Sequence, residues 1–171
     1  MKISSQEIDA MLSDMTQALQ SYLSEHAIDD PLMIGIHTGG VWIAERLHQQ
    51  LDLKTPLSSL DISFYRDDFT RLGINPRVKP SELTATVDDR DIILVDDVLY
   101  TGRTIRAALN EIFDYGRPAS VALAVLIDRG GRELPIGPTV VGRSVPLENN
   151  QQIKIEGPDP LGLSIIEQEK A

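Results

Sequence analysis

The sequence predicts an α/β fold with a mostly parallel central sheet and helices on both faces. Three observations carry that prediction. Short apolar runs, Leu32 to Ile36, Ile92 to Val95 and Val121 to Ile127, have the length and branched character of strands buried on both sides. Segments of helical periodicity lie between them. Each run ends in glycine, hydroxyl or charged residues, so the reactive groups gather at the carboxyl ends of the strands.

Taken in order, Ser4 to Glu7 has the pattern of a capping box, with Ser4 as N-cap and Glu7 reaching back. Ile8, Met11, Leu12, Met15, Leu19, Tyr22 and Leu23 then form one apolar stripe to about Glu25, on which Met11 and Met15 are core filler. His26 is placed as a cation at the helix C-terminus, and Asp29-Asp30-Pro31 ends the segment. Leu32 to Ile36 is the first buried strand, followed by His37-Thr38-Gly39-Gly40 and a helix that begins near Val41 and carries His48 on its surface. The turn reads equally as a second anion site at a helix N-terminus or as a tight connection that needs glycine. Leu57 to Phe64 alternates like a strand and Tyr65 to Phe69 continues it, whereas Thr70 to Pro80 has loop composition. Leu83 to Val87 reads as a strand returning against Ile62 to Phe64, which makes a β-ribbon flap. Arg66, Arg71, Arg77 and Lys79 give the flap a positive character suited to a lid over a polyphosphate.

The next strand runs into two adjacent carboxylates, Asp96 and Asp97, and a spacer, Val98-Leu99-Tyr100. Thr101-Gly102-Arg103-Thr104 then opens a helix that continues to Tyr115, with Gly116 in the C′ position and Pro118 beyond. Ser120 to Ile127 is another buried strand, ending on Asp128 and Arg129. Val140-Val141, Ile153 to Ile155 and Leu163 to Ile166 are short strands, read together as a small cap beside the ligand edge of the sheet.

Composition limits the classes that remain. A chain of 171 residues suits one domain, 1–171. With no cysteine, disulfides, thiolate metal sites and cysteine nucleophiles are excluded. No long apolar run or leader-like segment is present, so a cytoplasmic protein without a membrane partner is expected. A net charge of −10 disfavours RNA as a partner, because such binding depends largely on phosphate neutralisation.

The stretch from Ile92 to Thr104 carries the chemistry. Unpaired N–H groups at a helix N-terminus, with two threonine hydroxyls, form a phosphate cradle. Two acids a few residues earlier suit sugar hydroxyls or a magnesium ion. A ribose 5-phosphate presents that combination. Acids also end strands in phosphoryl-transfer and receiver domains, but here motif and the expected strand-turn-helix context agree.

This stretch closely resembles the 5-phosphoribosyl-1-pyrophosphate (PRPP) motif of type I phosphoribosyltransferases. Tyr65 to Asp68, the spacer Val98-Leu99-Tyr100 and the run Asp128 to Ile136 are similar to the pyrimidine operon regulatory branch of that family, whose members are also uracil phosphoribosyltransferases. The resemblance implies the type I fold, with a flexible β-ribbon lid at about 64–87 and a β-containing hood at about 128–171. It implies conversion of uracil and PRPP to UMP and pyrophosphate, with Mg²⁺ arriving on PRPP. Asp96 and Asp97 would act on the ribose hydroxyls and indirectly on the metal. Val98, Leu99, Tyr100, Thr101, Gly102, Arg103 and Thr104 would bind PRPP, and His37, Thr38, Gly39 and Gly40 the pyrophosphate. Arg66 would act from the lid, and Asp128 and Arg129 would belong to the base-recognition region. A homo-oligomer, dimer or higher, is implied as well. The alternatives are a nucleotide-sensing, RNA-binding attenuation regulator with incidental or lost catalysis, and a purine phosphoribosyltransferase. Tyr100 disfavours the purine reading, since purine salvage members usually place an aspartate there. Gly39 departs from an arginine common in the family, and Gly131 from a histidine.

Overall fold

The computed structural model describes residues 2–62 and 81–168. Five strands form a wholly parallel sheet: β2 (Leu32–Ile36), β3 (Ser58–Leu60), β4 (Asp91–Leu99), β5 (Ser120–Asp128) and β6 (Val140–Ser144), in the order β3-β2-β4-β5-β6. Successive side chains of a strand point to opposite faces, and the core divides accordingly. Met33, Ile93, Val95, Ala124 and Leu126 join one apolar cluster, while Leu32, Ile34, Ile92, Leu94, Leu123 and Val125 join another.

Helices α1 (Ser5–Glu25) and α2 (Gly39–Leu51) cover the first face, and α3 (Arg103–Tyr115) covers the second. The expected stripe of α1 is buried at Ile8, Met11, Leu12, Met15 and Leu19. Its capping box is formed: the Ser4 hydroxyl accepts the Glu7 N–H at 3.3 Å, and the Glu7 carboxylate accepts the Ser4 N–H at 2.9 Å. The Ser4 backbone and hydroxyl bonds hold the Glu7 carboxyl below the usual carboxylate range.

The hood is a separate antiparallel sheet of β1 (Lys2–Ile3), β8 (Gly162–Glu167) and β7 (Gln151–Glu156), in that order. Its membership corrects the sequence reading twice. Val140 and Val141 lie in the main sheet, because Val140 faces the first cluster and Val141 the second, a placement only a two-sided core strand has. The N-terminal Lys2–Ile3, unassigned from sequence, supplies the hood's third strand. Trp42 packs on Gly157, and Arg46 reaches the Pro158 carbonyl at 3.3 Å, so the hood is anchored on α2.

The returning strand expected at Leu83 to Val87 is absent. Thr84 donates its N–H to the buried Ser58 hydroxyl at 2.9 Å and its own hydroxyl to the Pro56 carbonyl at 2.6 Å, while Val87 packs in the core. These bonds turn the segment away from a ladder and leave a single antiparallel bridge, Ser59 to Glu82. The Asp61 N–H donates to the Ser81 hydroxyl at 3.1 Å, so the chain returns beside the point where it left. Arg66 and the other cations of the expected lid lie outside the described residues.

Gly116 is also used differently from the expectation. Its φ of 162° is extended, not left-handed, and glycine is needed because a Cβ would lie 2.6 Å from the Asp88 carboxylate that accepts the Arg117 N–H.

Helix α2 lies so close to the sheet that glycine is required at the contact. A Cβ on Gly35 would lie 2.8 Å from the Val41 Cα, and one on Gly40 would lie 2.7 Å from the Val95 carbonyl oxygen. Both obstacles are backbone, which cannot step aside. Gly40→Ala is therefore expected to destabilise the fold by roughly 1–3 kcal/mol, seen as a lower thermal midpoint. Gly137→Ala, with open space around the new methyl group, should leave that midpoint unchanged.

Candidate active site

A cleft of about 420 Å³ lies at the carboxyl end of β4, between the first turn of α3 and the hood. Asp96 to Ile105 and Arg129 line it from the main domain, and Asn149, Gln151, Gln152, Ile153 and Gln168 line it from the hood side. The whole run from Asp96 to Thr104 is thus in one cavity, as the motif requires.

The two acids are held by local backbone bonds. The Asp96 carboxylate is buried and accepts the Asp97 N–H at 3.0 Å. That of Asp97 is half-buried and accepts the Val98 N–H at 2.9 Å. Parallel pairing ends nearby, since Leu99 is opposite Asp128 in the last register pair of β4 and β5.

Peptide geometry aims the loop after them. The Thr101 carbonyl accepts the N–H groups of Glu133 and Leu134 at 3.0 and 3.1 Å. In a trans peptide the C=O and the following N–H point in opposite directions. Holding the Thr101 oxygen on the 133–134 side therefore turns the Gly102 N–H away from it, to the cleft side. Gly102 has φ 93°, a left-handed conformation open to glycine, and its carbonyl accepts the Arg106 N–H as α3 begins. The Arg103 N–H is shared with the Thr101 hydroxyl at 3.2 Å, and the Arg103 guanidinium pairs with Glu133 at 2.9 Å. The loop presents backbone donors and hydroxyls, while its arginine side chain is engaged with a neighbouring carboxylate.

His37, Thr38, Gly39 and Gly40 lie outside the cleft lining but join it to β2. The space for a Cβ on Gly39 is taken by the Asp97 carboxylate and by an Ile155 methyl group at 2.8 Å, and that for Gly40 by the end of β4. A side chain at 39 would meet the Asp97 carboxylate where it now lies. The His37 N–H donates to the Leu60 carbonyl at 2.9 Å.

Asp128 and Arg129 diverge in role. Asp128 accepts the Gly130 N–H at 2.9 Å on one oxygen and the Arg132 guanidinium at 2.7 Å on the other, and it does not line the cleft. Burial pushes its carboxyl up, but the bonds from Arg132 and Gly130 and the Arg132 charge outweigh that and hold it below the usual range. Arg132 also donates to the Tyr100 carbonyl at 2.7 Å. Arg129 does line the cleft, with its guanidinium 3.8 Å from the Tyr100 ring centre. Gly131, at φ 75°, packs on the same ring, where a Cβ would lie 2.5 Å from a ring carbon. Glycine at 131 thus accompanies this placement of Tyr100.

The hood amides were missed from sequence. Gln151 and Gln152 lie on a strand of alternating exposure that carries no motif, and only the folding of the hood over the sheet places them opposite Asp96.

Comparison with known proteins agrees with this geometry. Residues 4–159 match the phosphoribosyl transferase domain. The chain belongs to the phosphoribosyltransferase family, in its PyrR branch. It is 60% identical over 160 residues to the bifunctional protein PyrR of Nitrosococcus oceani, covering 92% of this chain and 90% of that one. The protein of the same name from Pseudomonas aeruginosa is 53% identical over 153 residues, with 90% of each chain covered. Among solved structures, the hypoxanthine phosphoribosyltransferase of Trypanosoma cruzi superposes with a TM-score of 0.70 at 16% identity over 97% of this chain and 95% of that one. A hypoxanthine phosphoribosyltransferase of Staphylococcus aureus gives a TM-score of 0.62 at 20% identity over 85% and 77%. At these identities the structural likeness bears on fold alone. No described helix is long and apolar enough to cross a membrane.

The Asp128–Arg132 pair makes the loop acid-sensitive in a defined direction. A carboxyl held low in the folded state contributes stability above its unfolded pKa of about 3.9, and that contribution is lost as pH falls through the folded value. Asp128→Asn is expected to lower stability by roughly 1–2 kcal/mol at pH 7. The deficit against the parent should shrink at pH 3, as read from denaturant midpoints at the two pH values.

Proposed function

We propose that the protein is a uracil phosphoribosyltransferase, forming UMP and pyrophosphate from uracil and PRPP. One observation carries the reading. The acid pair Asp96–Asp97 and the donor loop Thr101–Thr104 share a single cleft, sized for a sugar phosphate and roofed by an amide-rich hood. Membership of the PyrR branch supports uracil as the base, and so does Tyr100 in the place of the purine-type aspartate.

In this reading the 5-phosphate sits on the Gly102 N–H and the first turn of α3, with the Thr101 and Thr104 hydroxyls beside it. Asp97 accepts from the ribose hydroxyls, and Asp96 is the buried carboxylate that supports it. The diphosphate lies toward Thr38 to Gly40. Uracil N1 bonds to ribose C1 as the bond from C1 to the diphosphate oxygen breaks. Diphosphate leaves with the bonding pair, and the N1 proton passes to solvent. Positive charge grows on the ribose ring during this exchange, so the two carboxylates below it stabilise the transition state. Asp96 and Asp97 are the carboxylates that would hold a Mg²⁺ ion arriving with PRPP, directly or through water. When bound, that ion neutralises the leaving group's charge.

A homo-oligomer is part of the proposal. Phe113, 58% exposed beside an apolar groove that includes Leu109 and Ile136, supports a surface covered by a second copy. The RNA-binding reading has weaker support, since Arg103, Arg132 and Arg143 each meet a carboxylate. The test is UMP formation from uracil, PRPP and Mg²⁺ by the purified protein. Asp97→Asn is expected to lower kcat by about 10²-fold or more. PRPP binding without UMP formation would instead favour a ligand-sensing regulator.

A further inference from the structure

Three elements meet where a side chain of Gly39 would stand. A Cβ there would fall against the Asp97 carboxylate at the end of β4, with Oδ2 the nearest atom, and 2.8 Å from the Cγ2 methyl group of Ile155 on β7. The carboxylate and that methyl group therefore crowd one point beside the backbone where α2 begins. Asp97 Oδ1 accepts the Val98 N–H at 2.9 Å. A single bond of this kind leaves a carboxylate room to swing, because the terminal torsion of an aspartate is broad. What limits Oδ2 is contact: it lies against Gly39, and the Ile155 methyl group lies against the same position. The proposed mechanism uses this carboxylate and gives Ile155 no role.

Ile155 is seated by the rest of the hood. Gln151, Ile153 and Ile155 alternate with the exposed Gln152, Lys154 and Glu156, so they share the inward face of β7. Gln151 and Ile153 line the cleft, and Ile155 carries the same face on to Gly39. Opposite Ile155 in the register of β7 and β8 is Leu163, buried in the first apolar cluster. Beyond it, Trp42 of α2 covers Gly157, with ring atoms 2.8 and 3.1 Å from the Cβ position there. Arg46 holds the Pro158 carbonyl at 3.3 Å. The hood thus bears on α2 at Gly39, Trp42 and Arg46, which are three and four residues apart and so lie along one side of the helix. That seam fixes where the Ile155 methyl group stands.

We propose that Ile155 is a positioning residue for the transfer reaction: its Cγ2 methyl group, set by the seat of the hood on α2, holds the Asp97 carboxylate in the orientation that meets the ribose. The proposal rests on the transferase reading above. It gives the hood a second part in the site, orienting a charged group of the main domain as well as covering the cleft. A methyl group limits the carboxylate without using its acceptor capacity, whereas a polar side chain in the same place would hydrogen-bond Oδ2 and divert it from the ligand. Misplacing by about 1 Å a group that acts in the transition state costs up to about 10²-fold in rate.

The experiment is a double-mutant cycle in steady-state kinetics with uracil, PRPP and Mg²⁺, on the parent, Ile155→Ala, Asp97→Asn and the double variant, each well below its thermal midpoint. Product is followed with radiolabelled uracil, so that a variant about 10²-fold slower is still measured. Ile155→Ala should lower kcat about tenfold while the KM values for uracil and PRPP stay within about threefold. Ile155→Val keeps the branched methyl group and should restore kcat to within about twofold of the parent. In the Asp97→Asn background, Ile155→Ala should change kcat by less than about twofold, because the group it positions is gone. Equal losses in the two backgrounds overturn the proposal and leave Ile155 as packing alone. So does an Ile155→Ala variant in which only the KM for uracil rises, since a hood loosened over the cleft would do that. Should Ile155→Ala fail to fold, Ile155→Leu takes its place. It keeps the buried volume, but its branch, one carbon further out, empties or overfills the position beside Gly39, so kcat should fall in the same way. A parent that forms no UMP removes the transferase reading and this proposal together, whereas UMP formation with kcat insensitive to Ile155 removes this proposal only.

Discussion

The structure depends on the close approach of α2 to the ends of β2 and β4. Gly35, Gly39 and Gly40 remove three side chains from that contact; backbone atoms of α2 and β4 fill the space at Gly35 and Gly40, and the Asp97 and Ile155 side chains fill it at Gly39. The approach does two things at once. It packs Ile43, Ala44 and Leu47 of α2 into the core around Met33, Ile93 and Val95. It also brings the start of α2 against Asp96 and Asp97, so that two strand-to-helix turns, distant in sequence, meet at the acid pair. A methyl group at Gly40 would disturb the core and the site together, since the same backbone atoms serve both.

A second constraint orients the site rather than assembling it. The chain from Arg129 to Leu134 is fastened along Leu99 to Thr101: the Arg129 N–H donates to the Leu99 carbonyl at 3.0 Å, Arg132 to Tyr100, and Glu133 and Leu134 to Thr101. These bonds occupy three successive carbonyls of the chain that leads from β4 into the loop, and so fix the orientation of its peptides. Asp128 completes the fastening by holding Arg132, so its carboxylate is structural even though it ends a strand in the manner of Asp96 and Asp97.

This comparison shows what was legible in the sequence. Local patterns transferred directly: the Ser4–Glu7 capping box, the stripe of α1, the strand Leu32–Ile36 and the acid pair with its Thr-Gly-x-Thr turn all depend on neighbours a few residues apart. Asp128 shows the limit. A carboxylate at a strand end has the same local signature whether it faces a ligand or an arginine four residues on, and only the left-handed turn at Gly130 and Gly131 decides which. The hood shows it more strongly. Lys2–Ile3 and Leu163–Ser164 are separated by nearly the whole chain, and two residues of strand have no periodicity to detect. Pattern alone puts Val140–Val141 in the cap, because a short apolar pair looks alike in either sheet. Its two-sided burial is a property of the assembled core.

The charge distribution bears on how such an acidic chain can hold a polyphosphate. At a net −10, the long-range field opposes an anionic ligand. Three arginines on the α3 and β6 side add little against it, because Arg103, Arg132 and Arg143 are paired with Glu133, Asp128 and Glu7 respectively. What the cleft offers is short-range and directional: N–H groups at the start of α3, the hydroxyls of Thr101 and Thr104, and the Arg129 guanidinium, which meets an aromatic face and no described carboxylate. The Tyr100 ring is what permits that exception. It stabilises a buried cation by its quadrupole without occupying the outer N–H groups, which a carboxylate partner would do. An aspartate at position 100 would put a carboxylate where the ring now meets Arg129, so the tyrosine and the arginine belong to one arrangement.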